Sequence, residues 1–268
     1  MRAPSGIKMD PGYQRLQAIL EEMESVLVAY SGGVDSTFLL KVAHDLLGNR
    51  AIGVTEVSPT LAPSELEEAR QTASVIGAPH QLIYSEKLDD PNFVLNDPNR
   101  CYHCKLGLYQ KLKALSEEQD IPHIADGTIL DDLSDHRPGL QAAREMGVRS
   151  PLLEAALGKA AIREMSRALK LPTWDKPASP CLSSRFPHGT TITLDGLDRV
   201  AQAEAILKVA GFREVRVRYH GELARIAVPA EELPRLLAPA LCSSITERIK
   251  GLGFQYVTVD LAGYRRGV

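Results

Sequence analysis

Hydrophobic and polar positions in the first half of the chain alternate between short apolar runs and helical periodicity. Short runs rich in apolar and β-branched residues, of strand length, occupy 25–30, 51–55, 81–84 and 123–125. Patterns with a helical period occupy 36–47, 64–76, 100–119, 138–146 and 159–169. Strands that alternate with helices predict a parallel sheet with crossover helices. A capping box of Ser64 and Glu67 is predicted to begin the helix that ends at Gly77.

The pattern changes in the second half. Residues 172–190 are rich in Pro, Ser and Gly and have no regular period, which is typical of a functional loop at a domain boundary. Beyond it, a helix is predicted at 197–209, an alternating strand at 214–220 with a partner at 223–228, further helices at 231–237 and 244–250, and a strand at 256–259. We therefore predict an α/β domain of residues 13–188 and a smaller α+β domain of residues 189–268.

Composition narrows the class of protein. The chain has 268 residues, of which 44% are hydrophobic and 24% charged, as expected for a soluble globular protein. No apolar run approaches the roughly 20 residues of a membrane helix, and the first ten residues lack the apolar region of a secretory signal. The net charge of −3 lacks the basic excess of a nucleic-acid binder. We expect a cytoplasmic protein without a membrane or nucleic-acid partner.

A glycine-rich hexapeptide directly follows the first predicted strand and opens the first helix: Ser31-Gly32-Gly33-Val34-Asp35-Ser36. A helix N-terminus offers unpaired N–H groups and the positive end of the helix dipole to an anion. The glycines allow close approach of the backbone, and Ser31 and Ser36 add hydroxyl donors. Asp35 is expected to hold the loop or a Mg²⁺ ion. The motif predicts a phosphate-binding site that is neither a Walker A nor a GxGxxG motif; an ordinary glycine turn is the alternative.

Two of the four cysteines, Cys101 and Cys104, are three residues apart within a predicted helix. That spacing places both thiols on one helix face. The pair fits a zinc half-site, part of an iron–sulfur site, a redox couple or two core residues, and spacing alone does not choose among them. Cys242 follows Leu241 in an apolar helical context and is predicted to be a core residue.

A third cysteine, Cys181, lies in the irregular segment 174–185, near Lys176 and Arg185. Nearby cations favour the thiolate form, which is the nucleophilic form of cysteine. We therefore predict that Cys181 is a reactive nucleophile; an inert, partly buried thiol is the alternative.

Together these motifs resemble a known family. The hexapeptide resembles the SGGxDS motif of the PP-loop ATP pyrophosphatase superfamily, whose members cleave ATP between the α and β phosphates. The whole chain from about Tyr13 to Arg265 resembles the LarE family of sulfur transferases in nickel-pincer cofactor biosynthesis, through segments 126–128, 131–139, 174–185, 215–221 and 260–265. The resemblance implies an open parallel sheet of PP-loop type, like that of the adenine nucleotide alpha hydrolases, with a second, smaller α+β domain.

The resemblance also implies a reaction. ATP, with Mg²⁺, would adenylate a carboxylate of pyridinium-3,5-biscarboxylic acid mononucleotide, and the cysteine that matches Cys181 would then attack the acyl-adenylate. Its sulfur is either sacrificed or supplied as sulfide on a 4Fe-4S cluster held by Cys101, Cys104 and Cys181; three thiolates leave one iron open for such a ligand. A homo-oligomer, with a hexamer as one form, is implied as well.

Several side chains are candidates to bind the nucleotide and the substrate. Gly127 follows the fourth strand, where an open parallel sheet meets its ligand, and is expected to bind ATP. Three arginines, Arg185, Arg216 and Arg218, are expected to bind the phosphate and carboxylates of the substrate. The alternation at Arg216 and Arg218 fits a solvated strand face equally well, and Arg225 is expected on the paired strand.

Acidic residues after the fourth strand have two interpretations. Asp131, Asp132 and Asp135 either bind Mg²⁺ or cap the helix that begins near Pro138, and we expect capping by at least one. The chain departs from the family pattern at Ile129, where a polar residue is expected, and at Ala227, where an acid is expected.

Two other functions fit the motifs. One is a PP-loop tRNA thiolase, which would need a basic RNA surface that the charge balance does not favour. The other is a nucleotide-binding or metal-storage protein without turnover, which would bind ATP without releasing pyrophosphate.

Overall fold

A computed structural model describes residues 9–134 and 138–264. Its contacts divide the chain into two compact units: Met1–Ser85 with Cys101–Ser179 form the first unit, and Glu86–Arg100 with Pro180–Val268 form the second unit. The chain passes from the first to the second unit immediately before Cys181. The domains predicted at 13–188 and 189–268 stay a prediction. Asp135 and Arg265 lie outside the described residues.

The first unit contains a four-stranded sheet in which every pair is parallel, in the order β3-β2-β1-β4. Its strands β1 to β4 are Val26–Ala29, Ala51–Val57, His80–Tyr84 and Ile124–Ala125. Within the described residues the helices α1 to α11 are Pro11–Met23, Val34–Leu47, Pro63–Ile76, Pro91–Val94, Arg100–Glu118, Pro138–Glu145, Pro151–Glu154, Lys159–Ala168, Leu194–Val209, Leu233–Leu236 and Pro239–Lys250. The predicted open parallel sheet is confirmed.

Successive residues of β1 enter two different cores because side chains of a strand alternate between the faces of its sheet. Val26 and Val28 pack in a cluster with apolar residues of α1, α2 and α8. Leu27 packs in a second cluster with apolar residues of α5 and α6, including Tyr109. A strand buried on both faces explains why residues 26–30 form a continuous apolar run.

The helix α3 begins differently from the prediction. It starts at Pro63 with Ala62 as the N-cap, and no side chain caps it. Glu67 accepts a hydrogen bond from Gln71 instead. The predicted capping box is therefore wrong: proline at the first helical position has its φ already set for the helix and starts it one residue before Ser64.

The second unit contains a three-stranded sheet in the order β5-β6-β7. The strands are Arg216–His220, Leu223–Ala227 and Tyr256–Val259; β5 and β6 are antiparallel, whereas β6 and β7 are parallel. The apolar face of β5 packs in the core of this unit through the buried Val217, which confirms the alternation. Cys242, predicted as a core residue, is only half-buried. No helix among residues 9–134 and 138–264 is long and apolar enough to cross a membrane.

Candidate functional site

The glycine-rich hexapeptide makes the turn from β1 into α2. Gly33 is the extended N-cap, and the helix begins at Val34. Gly32 has a φ of +69°, and a Cβ there would lie 2.8 Å from the Cβ of Ala69, so glycine is required by both conformation and space. The first N–H groups of α2 lack partners within the helix. The turn therefore presents the N-terminus of a 14-residue helix, an arrangement suited to phosphate.

The two serines of the hexapeptide bind each other across the turn. The Oγ atoms of Ser31 and Ser36 lie 3.0 Å apart. The Ser31 N–H donates to Ser36 Oγ at 3.2 Å, and the Gly33 N–H donates to Ser31 Oγ at 3.3 Å. These bonds hold the loop in one shape before any ligand arrives, which lowers the cost of binding.

Gly127 contacts the start of the same helix. A Cβ at this position would lie 3.0 Å from the Ser36 nitrogen and 3.2 Å from its Cα. The backbone after β4 thus approaches the first turn of α2 as closely as a glycine allows. The structure brings Gly127 and the hexapeptide together, as the sequence predicts for residues at the carboxyl edge of a parallel sheet.

The turn that carries Gly127 is fixed by the buried Asp126. One carboxylate oxygen accepts from the Thr128 N–H at 3.1 Å and the Ser150 hydroxyl at 2.8 Å, and the other accepts from the Tyr109 hydroxyl at 2.9 Å. Burial and the Asp126 carboxylate raise the pKa of Tyr109, so the phenol remains a donor at neutral pH. The sequence did not indicate Tyr109 and Ser150 as partners, because they lie 17 and 24 positions from Asp126.

Asp35 forms an ion pair with a residue that the sequence analysis missed. Lys159, the first residue of α8, places Nζ 2.9 and 2.7 Å from the two carboxylate oxygens. The Lys159 N–H donates to Asp131 at 2.8 Å, so Asp131 caps the start of α8. That one of the three aspartates caps the helix at Pro138 stays a prediction, because Asp135 lies outside the described residues. Asp132 accepts from the Ile129 N–H at 3.0 Å, and the Ile129 side chain is buried in the core.

Lys176 is fixed within the first unit. Its ammonium lies 2.8 Å from both Glu65 and Glu68 and donates to the Gly32 carbonyl at 3.3 Å. Burial alone lowers the pKa of Lys176, but hydrogen bonds and charges of the two glutamates outweigh this effect and raise it. The charge expected to assist Cys181 is thus neutralised by two carboxylates, and Lys176 ties its segment to the phosphate loop.

Cys181 is exposed at the start of a short 3₁₀ turn, and its Sγ lies 3.0 Å from the Ser183 hydroxyl. Arg185 is buried and holds this turn through hydrogen bonds to its backbone. It is 3% exposed, donates to the carbonyls of Pro180 and Cys181 at 2.6 and 3.1 Å, and pairs with Glu204 through two 2.9 Å bonds. The geometry gives Arg185 a role in holding the turn; that it binds substrate stays a prediction.

A second buried arginine supports the same turn. Arg100 donates to the Ser183 carbonyl at 3.0 Å and to the Asn96 side chain. Asn96 in turn donates to the carbonyls of Pro187 and Thr190 at 2.8 and 2.9 Å. Neither residue was predicted from the sequence. Together with Arg185 they fix the backbone on both sides of Cys181.

A cationic face lies on the β5–β6 pair. Arg218 is directly opposite Arg225 in the register, which confirms that Arg225 lies on the paired strand, and Arg216 is opposite Ala227. Burial lowers the pKa of His220, and the charges of Arg225 and Arg218 lower it further. Like charges directly opposite each other destabilise a strand pair, and the Asp260 carboxylate, 3.8 Å from Arg225 Nε, offsets part of this repulsion.

The remaining cysteines lie near the start of α5. Cys101 is exposed, Cys104 is half-buried, and none of the four cysteines is in a disulfide. Their spacing on one helix puts both thiols on one face, which suits two ligands of an iron–sulfur cluster. Cys181 belongs to the second unit. Among the residues that the structure describes, no three His, Cys, Asp or Glu side chains are grouped to hold a metal ion.

Sequence similarity to known proteins identifies the family of this chain. The chain is 38% identical over 253 residues to the pyridinium-3,5-bisthiocarboxylic acid mononucleotide synthase of Lactiplantibacillus plantarum, covering 94% of this chain and 91% of that protein. The chain belongs to the LarE family. It is also 45% identical over 254 residues to an uncharacterised protein of Synechocystis sp., covering 95% of both chains. No protein-family model matches the chain.

A shorter similarity concerns only part of the LarE-family chain. Over 125 residues, this chain is 31% identical to the glutamine-hydrolyzing GMP synthase of Chlamydia caviae. The match covers 45% of this chain and 24% of that protein. Together with the observed sheet order, the match supports the fold class: an open parallel sheet of PP-loop type and a separate small sheet.

The Arg185–Glu204 pair gives a stability prediction for this LarE-family protein. We expect Glu204→Ala to lower the free energy of unfolding by about 3–5 kcal/mol, because it leaves the buried Arg185 charge without a counter-charge. The Val217 N–H also donates to Glu204 at 3.0 Å and would lose its acceptor. Urea denaturation measures the change.

The matched control for that variant is Asp195→Ala. It removes the partner of Arg199 on α9, the helix that also carries Glu204. The Asp195 side chain is 66% exposed, and an exposed pair contributes only about 0–1 kcal/mol. Equal losses in the two variants would contradict the prediction.

Proposed function

We propose that this LarE-family chain is an ATP-dependent sulfur transferase that adenylates a carboxylate of pyridinium-3,5-biscarboxylic acid mononucleotide and converts it to a thiocarboxylate. The observation that carries the proposal is the 38% identity, over almost the whole chain, to a synthase whose name gives the bisthiocarboxylic product. The preformed phosphate loop and the exposed cysteine supply the two chemical functions that such a conversion requires.

The first step is transfer of AMP to the substrate. A carboxylate oxygen attacks the α-phosphorus of ATP, a new O–P bond forms, the bond to the β-phosphate oxygen breaks, and pyrophosphate leaves with the electron pair. The N–H groups at the start of α2 and the closely packed Gly127 bind the phosphates. The partly exposed carboxylate of Asp35 suits Mg²⁺, which takes one or two protein carboxylates and would neutralise phosphate charge when bound.

The second step is sulfur transfer at Cys181. Its thiolate attacks the acyl carbon, a C–S bond forms, and AMP leaves with the electron pair. In the sacrificial route, loss of the α-proton and cleavage of the Cys181 Cβ–S bond release a thiocarboxylate and leave dehydroalanine. In the other route, Cys101, Cys104 and Cys181 would hold a 4Fe-4S cluster that supplies sulfide.

Substrate recognition is assigned to the cationic face of the second unit. Arg216 and Arg218 share a strand face, and arginine binds phosphate or carboxylate through two parallel hydrogen bonds. Arg185 takes a different role, because its donors already bind Glu204 and backbone carbonyls. We therefore propose that Arg185 positions Cys181 and that Arg216 and Arg218 bind the substrate.

The test measures pyrophosphate release by the full chain with ATP, Mg²⁺ and the dicarboxylic mononucleotide. We expect release that depends on the acid, together with formation of thiocarboxylate. ATP binding without acid-dependent release would contradict the proposal and support a non-catalytic nucleotide-binding protein. Tight, salt-sensitive tRNA binding would instead support a tRNA thiolase.

A separate measurement decides the source of sulfur. Iron and acid-labile sulfide are determined on protein purified without oxygen. We expect about four irons and four sulfides per chain, lost in Cys101→Ala, if the cluster route operates. Protein that takes up no iron, even after anaerobic reconstitution, would exclude the cluster, and the intact mass after turnover should then show the loss of H₂S from Cys181.

A further inference from the structure

Lys159 is a cation at the phosphate loop to which the family resemblance assigned no role. Its Nζ contacts both carboxylate oxygens of Asp35, at 2.9 and 2.7 Å. Asp35 lies in the first turn of α2, the turn whose N–H groups form the anion site. A positive side chain therefore lies at the place where the proposed function puts the phosphates of ATP.

The backbone of Lys159 is fixed from two sides. Its N–H donates to Asp131 at 2.8 Å, and a Cβ on the preceding Gly158 would lie 2.8 Å from the same carboxylate. The Leu130 N–H donates to the Leu157 carbonyl at 3.0 Å. The segment that follows Gly127 thus holds the start of α8 against the phosphate loop, and the position of Lys159 is built into the fold.

The contact between the Lys159 and Asp35 side chains, in contrast, is weak enough to be replaced by another partner. The Lys159 and Asp35 side chains are 35% and 23% exposed, and partly exposed ion pairs are weak because water screens them. A lysine ammonium is a compact charge on a flexible stem and can move between partners a few ångströms apart. A tetra-anionic triphosphate offers it a stronger partner than a single carboxylate.

We propose that Lys159 leaves Asp35 when ATP binds and becomes the counter-charge of the β- and γ-phosphates. The inference rests on the proposed adenylation. When the bond between the α-phosphorus and the bridging oxygen breaks, the electron pair stays on pyrophosphate, and the Lys159 ammonium stabilises that charge through N–H···O bonds without giving up a proton. Lys159 is thus a catalytic residue for the leaving group, and its contact with Asp35 is its resting position.

The experiment compares affinities for ATP and AMP by isothermal titration calorimetry, with EDTA present so that metal ions do not contribute. We expect Lys159→Met to weaken ATP binding by about 10- to 100-fold and AMP binding by less than about 3-fold, because AMP lacks the phosphates that Lys159 contacts. Lys159→Arg should keep most of the ATP affinity, since it retains the charge. Lys113→Met, which removes an exposed lysine paired with Glu117, is the matched control and should change neither affinity.

Three outcomes would overturn the inference. Unchanged ATP affinity in Lys159→Met shows that the ammonium does not reach the phosphates. Equal losses for AMP and ATP show that the loop itself is disturbed. Recovery of ATP affinity in the double variant Asp35→Asn with Lys159→Met shows that Lys159 only neutralises Asp35. If Lys159→Met does not fold, Lys159→Gln takes its place. Failure of the unaltered protein to bind ATP contradicts the proposed function itself, so the two failures are distinguishable.

Discussion

Cys181→Ala is expected to abolish thiocarboxylate formation while pyrophosphate release continues. Adenylation needs the phosphate loop, which belongs to the first unit and contains no part of Cys181. Sulfur transfer needs a nucleophilic sulfur, and Cys181 is an exposed thiol on a turn whose backbone Arg185 and Arg100 hold from within. Removal of a covalent nucleophile lowers the rate of its step by orders of magnitude, about 10⁶-fold in protease examples. The acyl-adenylate should therefore form and hydrolyse without sulfur incorporation.

The measurement follows pyrophosphate with a coupled assay and thiocarboxylate by mass spectrometry in the same reaction. Cys242→Ala is the control, because Cys242 lies half-buried on α11 in the second unit and has no proposed role. Undiminished thiocarboxylate in Cys181→Ala would refute the assignment of the nucleophile. Loss of both products would instead show that the turn carrying Cys181 is needed for adenylation.

Apart from the half-exposed edge strand β3, the sheet of the first unit was predictable because its strands are mostly buried. Such strands appear as uninterrupted apolar runs, and the four runs correspond to β1 to β4 within a few residues. The alternation at 214–220 is equally direct, because one face of β5 packs in a core and the other carries arginines. The start of α3 was less predictable, because Pro63 and the Ser64–Glu67 pair both signal a helix N-terminus and proline determined the start.

The candidate site was likewise predictable only in part. Residues within one short motif were recognisable, because a turn of fixed shape needs glycines and hydroxyls at fixed spacing. Contacts between distant segments were not. Lys159 is 124 positions from Asp35, and Tyr109 binds Asp126 across 17 positions. Glu204 occupies a position on α9 that the sequence pattern did not distinguish from a solvated surface, yet it is buried with Arg185.

Arg185 shows how burial bears on a role that was predicted from sequence position. Arg185 is near Cys181 in sequence, and an arginine near a reactive cysteine in an irregular loop predicts a substrate ligand. Its burial against Glu204 turns the same charge into a support for the loop backbone, because a buried guanidinium must be paired. Sequence proximity pointed to this turn, but the partner of Arg185 is a carboxylate 19 residues further along the chain. That Arg185 binds substrate stays a prediction.

Asp35→Ala is expected to reduce acid-dependent pyrophosphate release by at least about 100-fold, the size of effect typical when a preorganised electrostatic group is removed from an active site. The carboxylate would hold Mg²⁺ against the phosphates, and Asp35 is placed for this in the first turn of α2. ATP affinity should fall much less than turnover, because the substitution also releases Lys159 to the phosphates. Turnover that falls while binding persists is the signature of a group that acts mainly in the transition state.

The experiment measures kcat for pyrophosphate release and, separately, ATP affinity by calorimetry. Glu67→Ala is the matched control: it removes an exposed carboxylate from α3 whose partner is Gln71, and it should leave both quantities unchanged. Normal pyrophosphate release by Asp35→Ala would contradict the assignment of the hexapeptide as the adenylating loop. Parallel losses of affinity and turnover would show instead that Asp35 serves to shape the loop.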